Sequence, residues 1–360
     1  MSEDRPLVIV RDGALLDDVL RLAAAAACEL DCVPDVTAAS ANWMRAPLVV
    51  LDEQALTSRE LDRLPRRGGV LLVGSPQPES EAWQRAFTVG IERVVCLPAE
   101  ESSLVASFAD VAEGPGVGGG RVLGVIGGRG GAGASVFAAS VAIEAARAGR
   151  AALLVDCDGI GGGIDLVLGA EHEAGLRWPD LTLNSGRVSM AALREALLGV
   201  HCGSGSLVVL SCGRCGAGPT PDGIAAVLDA GTRAGCTVVC DLPRDLNAAG
   251  WQVIDLADLV AVVVPAEVRA SASAQRVVER LADRARELGV VVRGPAPDDL
   301  PADAVADAAG ARVLTVMRAE PRLGKALDRG EFQPKPSGPL AAGAAEVLDA
   351  LFAEQAKAVA

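Results

Sequence analysis

The sequence predicts an α/β protein of two successive doubly wound units, each a parallel sheet covered by helices. Three observations lead there. Short apolar runs alternate with helical patterns along most of the chain, as buried parallel strands do. The stretch Glu113-Gly114-Pro115-Gly116-Val117-Gly118-Gly119-Gly120 interrupts that alternation and can neither pack a core nor hold a helix. A second glycine-rich stretch, Gly128 to Ser135, lies between an apolar run and an alanine-rich helical segment.

The first unit, residues 1–112, carries apolar runs at Leu7 to Val10, Leu48 to Leu51, Val70 to Val73 and Val94 to Leu97. Helical patterns lie between them, at Leu15 to Leu30 and Glu79 to Phe87. Residues 113–120 form the linker. The larger unit, residues 121–330, repeats the scheme with runs at Val122 to Ile126, Ala151 to Val155, Leu207 to Leu210, Thr237 to Cys240, Leu259 to Val264, Val290 to Val292 and Val313 to Val316. In such sheets ligands sit at the carboxyl ends of the strands. Residues 331–360 form a tail: the proline-rich segment Gln333 to Pro339, then a helix with Val347, Leu348, Leu351 and Phe352 on one face. Basic residues are scarce there, which favours a docking helix over a lipid anchor.

Composition excludes several classes. The net charge of −14 opposes broad attachment to nucleic acid or to an anionic membrane surface. No apolar run approaches the roughly 18–20 residues that cross a bilayer, so at most peripheral membrane association is expected. Met1 to Pro6 is acidic and lacks a hydrophobic signal core, so a cytoplasmic chain is expected. Nine cysteines without secretory features fit a reducing compartment.

The chemistry centres on Gly128-Arg129-Gly130-Gly131-Ala132-Gly133-Ala134-Ser135. Closely spaced glycines let backbone N–H groups converge on phosphate oxygens at the positive end of a helix. Ser135 keeps the hydroxyl that would ligate Mg²⁺, but Ala134 stands where a phosphate-binding loop carries lysine. The only lysines are Lys325, Lys335 and Lys357, all late in the sequence, and Arg129 is the one cation in the loop. A tight turn without a ligand is the alternative. Carboxylates follow two further runs: Asp156 and Asp158 after the second run of this unit, and Asp241 in Asp241-Leu242-Pro243 after Thr237 to Cys240. Acidic side chains at such strand ends can orient Mg²⁺ or an attacking water.

On these residues the region from Arg121 to Gly330 resembles the MinD/ParA superfamily of deviant Walker ATPases, a P-loop NTPase-like fold. Both signature lysines are replaced, by Arg129 and Ala134. The resemblance implies that Arg129 reaches across a homodimer to the partner's nucleotide and that Asp158 positions the hydrolytic water. It also implies that Asp156 supports Mg²⁺, that Asp241 with Ser135 holds it through the nucleotide, and that Pro265 lies near the adenine.

The first unit resembles a response-regulator receiver, which is flavodoxin-like. Asp52 follows the run Leu48 to Leu51 where a phosphoacceptor would sit, but only Asp12 stands after the first run, and Leu97 precedes Pro98 where receivers carry lysine. A pseudo-receiver used for binding is expected. The pairing of such a unit with a MinD-like one is similar to CpaE/TadZ localisation proteins, and especially to the actinobacterial septum site-determining (Ssd) homologues. This resemblance implies a spatial regulator of septum placement, recruited to septum or pole, with weak or absent ATP/ADP·Mg binding and hydrolysis. The alternatives are a localisation factor for Flp/Tad pilus assembly or secretion, with partners from that machinery instead of cell-division proteins, and an active ATPase using Arg129 and Asp158.

Three other features receive structural readings. Cys212-Gly213-Arg214-Cys215 has C-x-x-C spacing, with His201-Cys202 upstream, but lacks the second closely spaced pair of a zinc site. His172 is expected at the surface. The charged stretch Arg276 to Glu287 mixes both signs and is expected to form a solvated helical face.

Overall fold

The computed structural model describes residues 5–74, 91, 93–113, 119–181, 188, 190–202, 205–296 and 300–358. The chain divides into two compact units, Met1–Pro115 and Gly116–Ala360. The helical pattern expected at Glu79 to Phe87 and the central residues of the expected linker, 114–118, lie outside the described residues.

The first unit holds a five-stranded parallel sheet of β1 (Leu7–Ile9), β2 (Asp31–Cys32), β3 (Val49–Leu51), β4 (Val70–Gly74) and β5 (Arg93–Cys96), in the order β2-β1-β3-β4-β5. The first helix stops at Ala25, short of the expected Leu30. Ala27 takes a left-handed φ of 50°, which ends the helical path and sends the chain into β2. That two-residue strand is too short to leave an apolar signature in the sequence.

The second unit holds an eight-stranded sheet. Its members are β6 (Arg121–Gly127), β7 (Ala152–Asp156), β8 (Leu198–Cys202), β9 (Gly205–Leu210), β10 (Thr237–Leu242), β11 (Leu259–Pro265), β12 (Leu288–Arg293) and β13 (Arg312–Met317). Their order is β13-β12-β11-β6-β10-β7-β9-β8, with all pairs parallel except β8 against β9. β8, which contains His201 and Cys202, lies outside every apolar run of the sequence. As an antiparallel edge strand it alternates buried and exposed residues and presents no continuous apolar run.

Alternation along the central strands sorts side chains onto two faces. Val122 and Ile126 of β6 pack under the helices Pro221–Arg233, Ala248–Leu256 and Val268–Leu281, whereas Leu123 and Val125 pack under Ala134–Arg147. The helix Pro339–Ala358 lies on that second face, burying Val347, Leu348 and Leu351 against the same cluster. The stretch read as one charged helix is divided: the helix Val268–Leu281 ends within it, and Arg284 reaches back to Asp255 and over the Trp251 ring. Among the described residues no helix is long and apolar enough to cross a membrane.

Candidate functional site

The carboxyl ends of β6, β7, β10 and β11 converge at the glycine loop. Gly128 leaves β6 by donating its N–H to the Val263 carbonyl of β11 at 2.9 Å. A side chain there would meet Ala274 Cβ at 2.9 Å, so only glycine lets the helix Val268–Leu281 pack this closely. Gly131 and Gly133 take φ of 70° and 92°, the left-handed region that glycine enters without steric cost. Gly133 then caps the helix Ala134–Arg147 without a side-chain hydrogen bond to the first-turn N–H groups. Such an N-terminus is a ready anion cradle. Ala132 is buried, and a methyl group on Gly130 would meet open space.

Ala134 is the first residue of that helix and contributes no charge. Ser135, next to it, lies beside the Asp241 carboxylate. Asp241 is 5% exposed, and its Oδ1 is buried without a hydrogen-bond partner. Burial, with Asp156 and Asp158 nearby, pushes its carboxyl up to about 7 against the opposing influence of the Ser135 hydroxyl. An orphaned buried carboxylate oxygen beside a serine hydroxyl at the loop is a donor set suited to Mg²⁺. The residues present therefore fit a magnesium-bound phosphate group.

Register places Asp241 of β10 directly beside Asp156 of β7. Asp156 is committed to structure: its Oδ1 accepts from Asp158 N at 3.0 Å, and its Oδ2 from Ile164 N at 2.8 Å and Cys212 N at 3.0 Å. Burial raises its carboxyl, and these bonds partly offset the rise. Asp158 is half-buried; its carboxylate accepts from Ile160 N at 3.2 Å and lies beside Gly161. Pro265 ends β11, buried and paired in register with Arg293 of β12.

Arg129 does not lie free. Its Nη2 sits 3.0 Å and 3.2 Å from the two carboxylate oxygens of Glu267, and its Nη1 donates to the Gly130 carbonyl. Glu267 was invisible to sequence reasoning, because only the packing of β11 beside β6 brings it there. The same holds for Asp165. It is fully buried and receives Ser211 Oγ at 2.9 Å, Arg177 at 3.1 Å and Arg214 at 2.7 Å. Burial raises the Asp165 carboxyl, but Arg214, Ser211 and Arg177 outweigh it and hold it below the usual range. The C-x-x-C segment thus serves packing: Arg214 braces Asp165, Cys212 is buried against the Asp156 carbonyl, and Cys215 is exposed.

In the first unit Asp52 is 2% exposed and fully engaged. Its Oδ2 accepts from Arg11 N at 2.5 Å and Asp12 N at 3.1 Å, and its Oδ1 from Ala55 N at 2.7 Å. Asp12 caps the helix Gly13–Ala25 through Leu15 N.

The family profile described as "Rv3660c-like, CheY-like N-terminal domain" matches residues 9–119. The protein Rv3660c of Mycobacterium tuberculosis strain H37Rv is 42% identical over 350 residues, covering 95% of this chain and 97% of that one. MT3760 of strain CDC 1551 matches to the same extent. A ParA family ATPase from Chlorobium tepidum superposes with a TM-score of 0.55 at 15% identity, covering 63% of this chain and 96% of its own. MinD in the MinC:MinD cell division complex of Aquifex aeolicus gives 0.50 at 22% identity, over 63% and 96%. The septum site-determining MinD of Pyrococcus horikoshii, complexed with Mg-ADP, gives 0.50 at 18% identity, over 64% and 95%. At these identities the solved structures establish the fold. The chain belongs to the Rv3660c-like family, with a CheY-like N-terminal domain followed by a unit of the MinD/ParA P-loop fold.

Proposed function

We propose that this chain is a MinD-like spatial regulator of septum placement, built on a degenerate ATP/ADP·Mg site with slow or absent hydrolysis. The observation that carries the reading is the first turn of the loop helix. The glycine cradle and the Ser135–Asp241 pair are intact, whereas Ala134 leaves the turn without its cation. Gly130, Gly131 and the first-turn N–H groups would hold phosphates, Ser135 and Asp241 would hold Mg²⁺, and Asp158 would orient a water. Mg²⁺ when bound would neutralise phosphate charge; the chain itself lacks the lysine that stabilises charge developing in the transition state. Binding without fast turnover suits a localisation switch. The role at the septum is carried over from the fold relatives named for cell division.

Dimerisation through the loop face is supported by two apolar side chains beside it. Ile160, after β7, is 99% exposed, and Val268, after β11, is 75% exposed. In the sheet order these positions flank β6 and β10 on both sides. Exposed apolar groups bordering a polar cradle are the anatomy of an interface.

The test combines ATP turnover of the purified chain, wild type against Ala134→Lys, with septum mapping in cells lacking the gene. Low turnover raised by lysine, together with displaced septa, is the expected result. Normal septation with lost pilus assembly would move the assignment to the pilus role. Fast wild-type turnover abolished by Asp158→Ala would make it an ATPase instead.

A further inference from the structure

Two cations other than lysine stand at the glycine loop, and they differ in what they are doing. Arg129 is spent on Glu267 and the Gly130 carbonyl. Arg293 is not. It ends β12, two strands from β6, and is half-buried. A methyl group placed on Gly133 would lie 3.8 Å from Arg293 Nη1 and 3.9 Å from its Cδ. The side chain therefore runs against the residue that caps the loop helix. Its Nε is buried without a hydrogen-bond partner, and among the described residues no carboxylate pairs with its guanidinium. A half-buried, unpaired guanidinium is costly unless something anionic completes it.

The surroundings point the same way. Arg293 also lines a pocket of about 480 Å³ whose other charged members are Arg318, Arg322, Lys325 and Glu320. Glu320 is already occupied by the Leu340 N–H at 3.2 Å. The pocket is thus net cationic, and Arg293 both lines it and lies against the Gly133 end of the loop.

We propose that Arg293 supplies from β12 the phosphate-binding charge that Ala134 leaves out, so that a nucleoside di- or triphosphate is held between the loop N–H groups and the Arg293 guanidinium. This rests on the reading that the loop takes a nucleotide. The arrangement differs from a loop lysine in one respect. An arginine two strands away can bind a phosphate through two parallel N–H bonds, yet it is not part of the helix turn that follows the transferring group. Such a site retains ligand while gaining little in hydrolysis.

The test is calorimetric binding to the full-length chain, with Mg·ADP, pyrophosphate and adenosine as separate probes. Arg293→Ala should weaken Mg·ADP and pyrophosphate alike by on the order of ten- to a hundredfold, as loss of a charge-assisted bond does, and leave adenosine unchanged. Arg293→Gln, which keeps most of the side chain's bulk but removes its charge, should weaken both by a similar factor and is the variant read if Arg293→Ala fails to fold. Adding Ala134→Lys to either variant should restore pyrophosphate binding. Wild-type affinity for Mg·ADP and pyrophosphate in the folded Arg293 variants would overturn the assignment of Arg293 and leave the nucleotide reading standing. Loss of adenosine binding with pyrophosphate unchanged would also overturn it, placing Arg293 at the base. A wild-type chain that binds neither Mg·ADP nor pyrophosphate would overturn the nucleotide reading itself, and this proposal with it.

Discussion

Arg129 and Glu267 lie 138 positions apart, yet one arginine nitrogen touches both carboxylate oxygens, at 3.0 Å and 3.2 Å. The pair ties the glycine loop to the turn after β11 and holds inward the cation that the family resemblance assigns to a partner subunit's nucleotide.

Replacing Glu267 by glutamine should release that arginine. Both side chains are partly exposed, at 34% and 41%, so the pair contributes no more than about 1 kcal/mol and the unfolding midpoint should barely move. The dimer fraction in Mg·ATP, measured by sedimentation, should rise. An unchanged fraction would show that Glu267 does not restrain Arg129.

Asp241 sets a pH dependence. Its native carboxyl, pushed to about 7 by burial, binds a proton more tightly than the same group in the unfolded chain, near 4. Between those values the native state carries the extra proton, so stability falls as pH rises from about 4 to about 7, by at most ~4 kcal/mol. In metal-free buffer Asp241→Asn should flatten this slope and melt higher than wild type at pH 8. A wild-type slope in the variant would remove Asp241 as its source.

Asp165 should be among the costliest single carboxylates to remove. Asp165→Ala strands two guanidinium groups, Arg177 and Arg214, beside a buried hydroxyl. Removing one partner from a buried ionic cluster costs about 3–5 kcal/mol, to be read from urea unfolding. A loss under about 1 kcal/mol would mean that solvent reaches the cluster.

Asp52 should not act as a phosphoacceptor. Three backbone N–H groups occupy its carboxylate, so acetyl phosphate should leave no phosphoryl mass on the protein. Asp52→Ala should cost about 1–3 kcal/mol, for the lost helix cap and the buried N–H groups it orphans. Phosphorylation at Asp52 would return the unit to signalling chemistry.

Much of the fold was legible because its signals are local. Buried parallel strands read as continuous β-branched runs, and β6, β7, β10 and β11 fall where those runs lie, β7 shifted by one residue and the others longer by one or two. Two strands escaped, each for a stated reason: β2 is two residues long, and β8 is an alternating edge strand. The helix Gly13–Ala25 ended early because Ala27 adopts a left-handed conformation that no pattern of hydrophobicity encodes.

By itself the sequence determined the glycine loop, the missing lysine, the serine and the strand-end carboxylates, since each depends on residue type and on spacing within one strand–loop–helix unit. Only the tertiary structure decided which charges meet there. The order β12-β11-β6-β10-β7 sets Arg293 against Gly133, Glu267 on Arg129 and Asp241 beside Asp156. The physical reason is that parallel crossovers pair residues by sheet position and not by distance along the chain. The electrostatics of the site are therefore a property of strand order, absent from any single stretch of sequence.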